Sequence, residues 1–154
     1  LRYKTKCVLI RLNYSVELRY GVLVDIATKV QKREPIDLSM GHFNVIWQGD
    51  VNNYVLRSLQ MAASPARIIN LTGPDLLSVR NVAIEFGNLM GIEPLFVGKE
   101  SETALLSNSS EAHRQFGQPA VGISNVIRWI AGWLMEERRL LGKPTHFEVR
   151  DGKY

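Results

Sequence analysis

Cysteine is nearly absent. Cys7 is the single one in 154 residues, so no internal disulfide can form and a cytoplasmic origin is expected. At a strand start, Cys7 reads as a small buried residue rather than a nucleophile. Long hydrophobic runs are missing too: none approaches the roughly 20 residues that cross a bilayer, so no membrane partner is expected. Residues 1–6 are charged and lead into only a short apolar run, a poor signal peptide. The first residue is not Met, which suggests a trimmed or partial chain. His42, His113 and His146 lie far apart and lack paired ligand spacing, so no metal site is expected. No Ser or Cys sits in a nucleophile turn, which argues against a hydrolase. Basic residues do not alternate with aromatics in a stripe, so nucleic acid is not an expected partner. Neither Gly-x-Gly-x-x-Gly nor Gly-x-x-Gly-x-x-Gly occurs, the loops that bring backbone N–H groups against a pyrophosphate at a helix start. Internal repeats and low-complexity linkers are also lacking.

What is present suits one packed unit. Hydrophobic residues make up 45% and charged residues 22%, ordinary for a folded domain and too little charge for a disordered chain. The net charge of +4 is uneven. Residues 1–33 carry Arg2, Lys4, Lys6, Arg11, Arg19, Lys29, Lys32 and Arg33 against Glu17 and Asp25, while the remainder is slightly acidic. That balance either attracts an anionic ligand such as a diphosphate or marks a solvated helix face and a chain end.

The apolar spacing predicts strands alternating with helices, an α/β class. Strands are expected at 8–13, 44–47, 68–71 and 94–97. A helix over 21–30 buries Val22, Leu23, Ile26, Ala27 and Val30, and Glu34-Pro35 ends it. Asp50 is expected to cap a helix running to Met61, with Val51, Tyr54, Val55 and Leu59 as its apolar stripe. Thr72-Gly73-Pro74-Asp75 reads as a turn. Ser78 caps a helix with Val79, Val82, Ala83, Phe86 and Met90 on one side and Gly91 at its end. Ser109 or Ser110 opens a short helix to Phe116. Ser124 caps a last one carrying Val126, Ile127, Ile130, Ala131 and Leu134. Residues 142–154 read as a polar, extended tail.

Four segments, in this order, resemble the C-terminal half of an extended short-chain dehydrogenase/reductase, the NAD-dependent sugar epimerase/dehydratase family. Arg11-Leu12-Asn13-Tyr14 occupies the place of that family's Arg-x-x-Asn-x-Tyr-Gly, with Asn13 one residue early and Tyr20-Gly21 as a later Tyr-Gly. Asn44-Val45-Ile46-Trp47-Gln48-Gly49-Asp50 is similar to its strand ending in Asp before a helix. Ile69-Asn70-Leu71-Thr72-Gly73-Pro74, then Leu77-Ser78-Val79-Arg80, looks like its strand, Gly turn and Ser-capped helix. Residues 108–119 stand where the family has Asp-x-Ser-Lys-Ala and then Leu-Gly-x-x-Pro. Here Asn108 replaces the Asp, Glu111 the Lys and Phe116 the Leu, and the final helix carries Trp129 and Trp133. One turn apart, those two tryptophans serve packing, or else a stacking site for a base or sugar.

The resemblance covers roughly residues 5–137. It implies the C-terminal part of a Rossmann-like parallel sheet plus a small substrate-binding lobe, in residues 1–137, with 138–154 as a tail. It implies NAD or NADP as cofactor of a full-length enzyme acting on a nucleotide sugar or related carbonyl compound. The family's glycine loop and catalytic Tyr-x-x-x-Lys would precede Leu1, and no Tyr here has a Lys four residues on. In that pair the Lys charge lowers the Tyr pKa. The chain alone is therefore expected to hold no cofactor and no catalytic residue, and to be inactive. The resemblance implies Leu12, Asn13 and Tyr14 beside the cofactor, and Arg19, Tyr20, Ser107, Asn108 and His113 at the substrate. The bland readings are a polar turn for Asn13 and Tyr14, a surface charge for Arg19, and helix-end decoration for Ser107, Asn108 and His113. A non-catalytic binding or regulatory module, and a structural assembly domain, remain the alternatives. An unpaired strand edge at 8–12 implies self-association or a separate N-terminal half.

Overall fold

The computed structural model describes residues 4–149. Residues 1–3 of the charged start and 150–154 of the expected tail lie outside the described residues. The elements run β1 (Val8–Leu12), β2 (Ser15–Val16), α1 (Val22–Lys32), β3 (Ile36–Asp37), β4 (His42–Phe43), β5 (Ile46–Trp47) and α2 (Gln48–Ser58). A 3-10 turn (Leu59–Met61) leads to β6 (Arg67–Leu71), β7 (Leu77–Ser78), α3 (Val79–Met90), β8 (Phe96–Val97), α4 (Ser110–Phe116) and α5 (Ile123–Met135). β1 and β6 pair in parallel, from Val8 opposite Arg67 to Leu12 opposite Leu71. β2 pairs in parallel with β5, and β3 with β8, while β4 and β7 are antiparallel. This is the expected mixed α/β architecture with parallel strand pairs.

Three helices make the larger core. The apolar stripes read from α1, α3 and α5 all turn inward: Leu23, Ile26, Ala27, Val82, Ala83, Phe86, Val126, Ile127 and Ile130 are buried together. Each fully buried Leu, Ile, Val or Phe contributes roughly 1.5–3 kcal/mol. A second, smaller core lies under β1 and β6, where Ile69 and Leu71 meet Ile46, Val51, Tyr54 and Ala112.

Two caps stand as expected. The Ser78 Oγ accepts the Asn81 N–H at 3.3 Å, and Gly91, at φ 68, closes α3 in the left-handed region that favours glycine. Two do not. α2 begins at Gln48 with Trp47 at its N-cap, so Asp50 is already helical and its carboxylate is committed elsewhere. α5 begins at Ile123 after Gly122, so Ser124 lies inside the helix and caps nothing. The α2 stripe also differs from expectation. Val51 and Tyr54 are buried, but Val55 and Leu59 are exposed, because the inward line is Asp50, Tyr54 and Ser58, two of whose members are polar.

Residues 138–149 form no helix or strand, yet they pack on α1. The Thr145 N–H and Oγ1–H both donate to Asp25 Oδ2, at 2.8 and 2.6 Å, and Lys29 pairs with Glu148. Phe147 is fully buried, its ring 6.4 Å from that of Phe43.

Along β1, the bonds Arg67 N–H to Cys7 O and Asn13 N–H to Leu71 O point odd-numbered residues at β6. The alternation of a parallel ladder leaves the N–H and C=O of Val8, Ile10 and Leu12 facing the other edge. No strand pairs there among the described residues. Leu9 and its register partner Ile68 on β6 are about half exposed.

Candidate functional site

The chain's polar side chains converge where β1 and β6 end. β1 runs out at Leu12, whose side chain is half exposed. Asn13 extends the ladder by one bond, and Tyr14 then turns the chain at φ 35, its carbonyl accepting the Ile46 N–H at 3.0 Å. β6 runs out into Thr72-Gly73-Pro74. A Cβ on Gly73 would stand 2.1 Å from the Val45 carbonyl oxygen, so this turn lies directly on the backbone of residue 45 and only glycine fits.

Asn44 sits between the two strand ends, almost fully buried. Its Oδ1 accepts from Asn13 Nδ2 at 2.7 Å, and its Nδ2 donates to the Ser107 carbonyl at 2.8 Å. Asn70 Nδ2 donates to the Asn108 carbonyl at 3.1 Å, and Asn108 Oδ1 accepts the Ser110 N–H that opens α4. From α4, His113 places Nε2 3.0 Å from the Thr72 carbonyl. A carbonyl only accepts, so Nε2 carries the hydrogen. Asn44, Gly73, Ser107, Asn108 and His113 line one small polar cleft of about 220 Å³.

Of the residues singled out from sequence, Asn13, Ser107, Asn108 and His113 thus come together, with Leu12 and Tyr14 at the same strand end. Arg19 and Tyr20 lie in different surroundings. Arg19 Nε contacts both carboxylate oxygens of Glu17 at 3.1 Å, and Tyr20 pairs through its backbone with Glu17. Arg19 faces a second cavity of about 400 Å³ between α1 and residues 140–148, lined also by Asp25, Lys29, Lys143 and Glu148.

Sequence reasoning passed over the hub. Asn44 was legible only as part of a strand. A lone amide between Phe43 and Val45 signals a buried group that needs partners. It also missed the grip of α2 on the loop after α4. Asp50 Oδ1 and Oδ2 accept the Ala120 and Val121 N–H groups at 3.0 and 3.1 Å. One turn on, Tyr54 Oη donates to the Gly117 carbonyl at 2.7 Å, and Arg57 Nη1 donates to the Phe116 carbonyl at 2.6 Å. The i, i+4, i+7 spacing puts all three side chains on one face. Burial, and secondarily the Asp50 carboxylate, push the Tyr54 phenol above its ordinary value, with Arg57 opposing.

β1 leads into Asn13-Tyr14 rather than a helix start, and the β6 turn is filled from behind by Val45. The N-terminus of α3 is occupied by the Ser78 hydroxyl. Among the described residues no three His, Cys, Asp or Glu side chains gather as for a metal ion, and no helix is long and apolar enough to cross a membrane.

No family model matches the chain, and no curated protein matches it in sequence. Solved structures do match. The UDP-glucuronic acid 4-epimerase of Bacillus cereus, in complex with NAD, aligns at TM-score 0.67 and 12% identity over 86% of this chain and 45% of its own. The UDP-glucose 4-epimerase of Thermotoga maritima, with UDP-glucose, aligns at 0.66 and 12% identity over 86% and 47%. The GDP-mannoheptose C4 reductase of Campylobacter jejuni, with NADP bound, aligns at 0.69 and 14% identity over 87% and 51%. The chain spans about half the length of these structures. Over that half, its fold is the α/β fold of these solved epimerase and reductase structures.

Proposed function

We propose that this chain is the substrate side of an NAD(P)-dependent epimerase/dehydratase acting on a nucleotide sugar or related carbonyl compound. The observation that carries the proposal is the polar cleft at the C-terminal ends of the parallel pair β1–β6. Open α/β sheets take their ligands beyond those strand ends. In this reading Ser107, Asn108 and His113 form the wall toward the sugar, and Leu12, Asn13 and Tyr14 the wall toward a cofactor. The reading assigns the dinucleotide and its hydride chemistry to a partner half, supported by the lack of a Gly-x-Gly-x-x-Gly or Gly-x-x-Gly-x-x-Gly loop in this sequence. The outer edge of β1 is the proposed docking line for the half that carries them. The half-length match to the solved structures supports this reading.

Calorimetry with UDP-glucose, joined to sedimentation and an NAD(P)H turnover assay, tests it. The expected results are saturable binding weakened by His113→Ala, no turnover by the chain alone, and self-association that grows with concentration. A strictly monomeric chain that binds no UDP-glucose would sink the proposal and leave a regulatory module of the same fold. Turnover by the chain alone would sink the division of labour.

A further inference from the structure

One side chain that lines the cleft joins Asn13, at the end of β1, to Ser107 on the cleft wall. Asn44 reaches Asn13, 31 residues away, and Ser107, 63 residues away. Its Oδ1 accepts from Asn13 Nδ2 at 2.7 Å and takes a longer bond from the Ser107 N–H at 3.4 Å. Its Nδ2 donates to the Ser107 carbonyl at 2.8 Å. A side-chain amide supplies a donor and an acceptor from one short planar group. A carboxylate would turn an acceptor toward the Ser107 carbonyl, and an alkyl group would leave buried polar atoms unpaired.

The base of this side chain is held as well. The carbonyl of the next residue, Val45, lies where Gly73 would carry a Cβ, so the backbone at 44–45 is wedged against the β6 turn. His113 bonds to the Thr72 carbonyl of the same turn. The bond to Asn44 uses one N–H of the Asn13 amide. Its Oδ1 makes no hydrogen bond to another described residue.

We infer that Asn44 is a positioning residue: it sets the spacing and orientation of the Asn13 and Ser107 walls, and so acts on the ligand through them. The inference rests on the proposed reading of the cleft as a nucleotide-sugar site. In a double-mutant cycle on the full chain with UDP-glucose as the probe, Asn44→Ala and Asn13→Ala should each weaken binding about 10-fold, the size of one lost hydrogen bond in a site. The double variant should lose clearly less than the product of the two, because Asn44 works through Asn13. Asn44→Asp keeps the acceptor for Asn13 and removes the donor to Ser107, and it serves where Asn44→Ala fails to fold. Its expected result is a shifted Ser107 carbonyl signal, since that carbonyl loses its donor, with the Asn13 side-chain amide signals little changed.

Additive losses in the cycle, or unchanged affinity in Asn44→Ala, would overturn the inference. If the unaltered chain binds no UDP-glucose, the functional reading fails and the clamp is judged without ligand. Exchange at the Ser107 N–H and the Asn13 amide signals must then both change in Asn44→Ala, which removes the acceptor of both, and their constancy would refute the clamp as well.

Discussion

Asp50 offers a decisive test, because its two readings differ in magnitude. As a helix cap its removal would cost about 0.5–2 kcal/mol. In the structure it instead bonds two backbone N–H groups of the loop after α4, those of Ala120 and Val121, while 5% exposed. A hydrogen bond to a charged group contributes about 1.5–3 kcal/mol, so losing two costs about 3 kcal/mol or more. In a chain of this length that loss lowers Tm by roughly 6–12 °C. Urea unfolding of Asp50→Ala followed by circular dichroism measures it, with the slope checked for constancy. Asp50→Asn should fall between the parent and Asp50→Ala, since it keeps one acceptor but turns an amide N–H₂ toward the second backbone donor. Hydrogen exchange should rise at Ala120 and Val121 in both variants. A loss below about 1 kcal/mol in Asp50→Ala, within the range of a cap, would refute the latch, as would Asp50→Asn matching the parent.

Two further outcomes follow from neighbouring contacts. The Tyr54 phenol has its folded pKa raised above its ordinary value of about 10, so its contribution is complete below that pH and is lost as pH rises through the folded value. Urea titrations from pH 9 upward should show the parent losing stability faster than Tyr54→Phe, and parallel curves would contradict the assignment. Gly73→Ala places a methyl 2.1 Å from the Val45 carbonyl. Overpacking of this kind costs about 1–3 kcal/mol, so the urea midpoint should fall, and an unchanged midpoint would show that the turn yields.

The helices were the legible part. α1, α3 and α5 each carry a run of apolar residues at helical spacing, and that spacing alone assigns their inner faces. β1 and β6 were legible as short apolar runs between polar ends. The two-residue strands β2, β3, β4 and β7 were not, because nothing local distinguishes them; each exists only through a partner far along the chain. The same limit explains the site. Asn13, Ser107, Asn108 and His113 could be nominated from a family resemblance, but Asn44 could not, since its role lies in partners 31 and 63 residues away. Asp50 was mistaken for a cap because a carboxylate near a helix start fits two jobs equally well by sequence, and only the position of residues 120 and 121 decides between them. Phe147 was hidden by the polar residues around it.

Phe147 carries a consequence for the order of folding. Its ring fills space beside Phe43, and Thr145 closes over Asp25 on α1, contacts that span more than a hundred residues. During synthesis Asp25 and Phe43 therefore lack these partners until residues 145–147 have left the ribosome. Contacts of such long range slow folding, so removing them with Phe147→Ala is expected to raise the unfolding rate more than it lowers the folding rate if this strap docks after the helices.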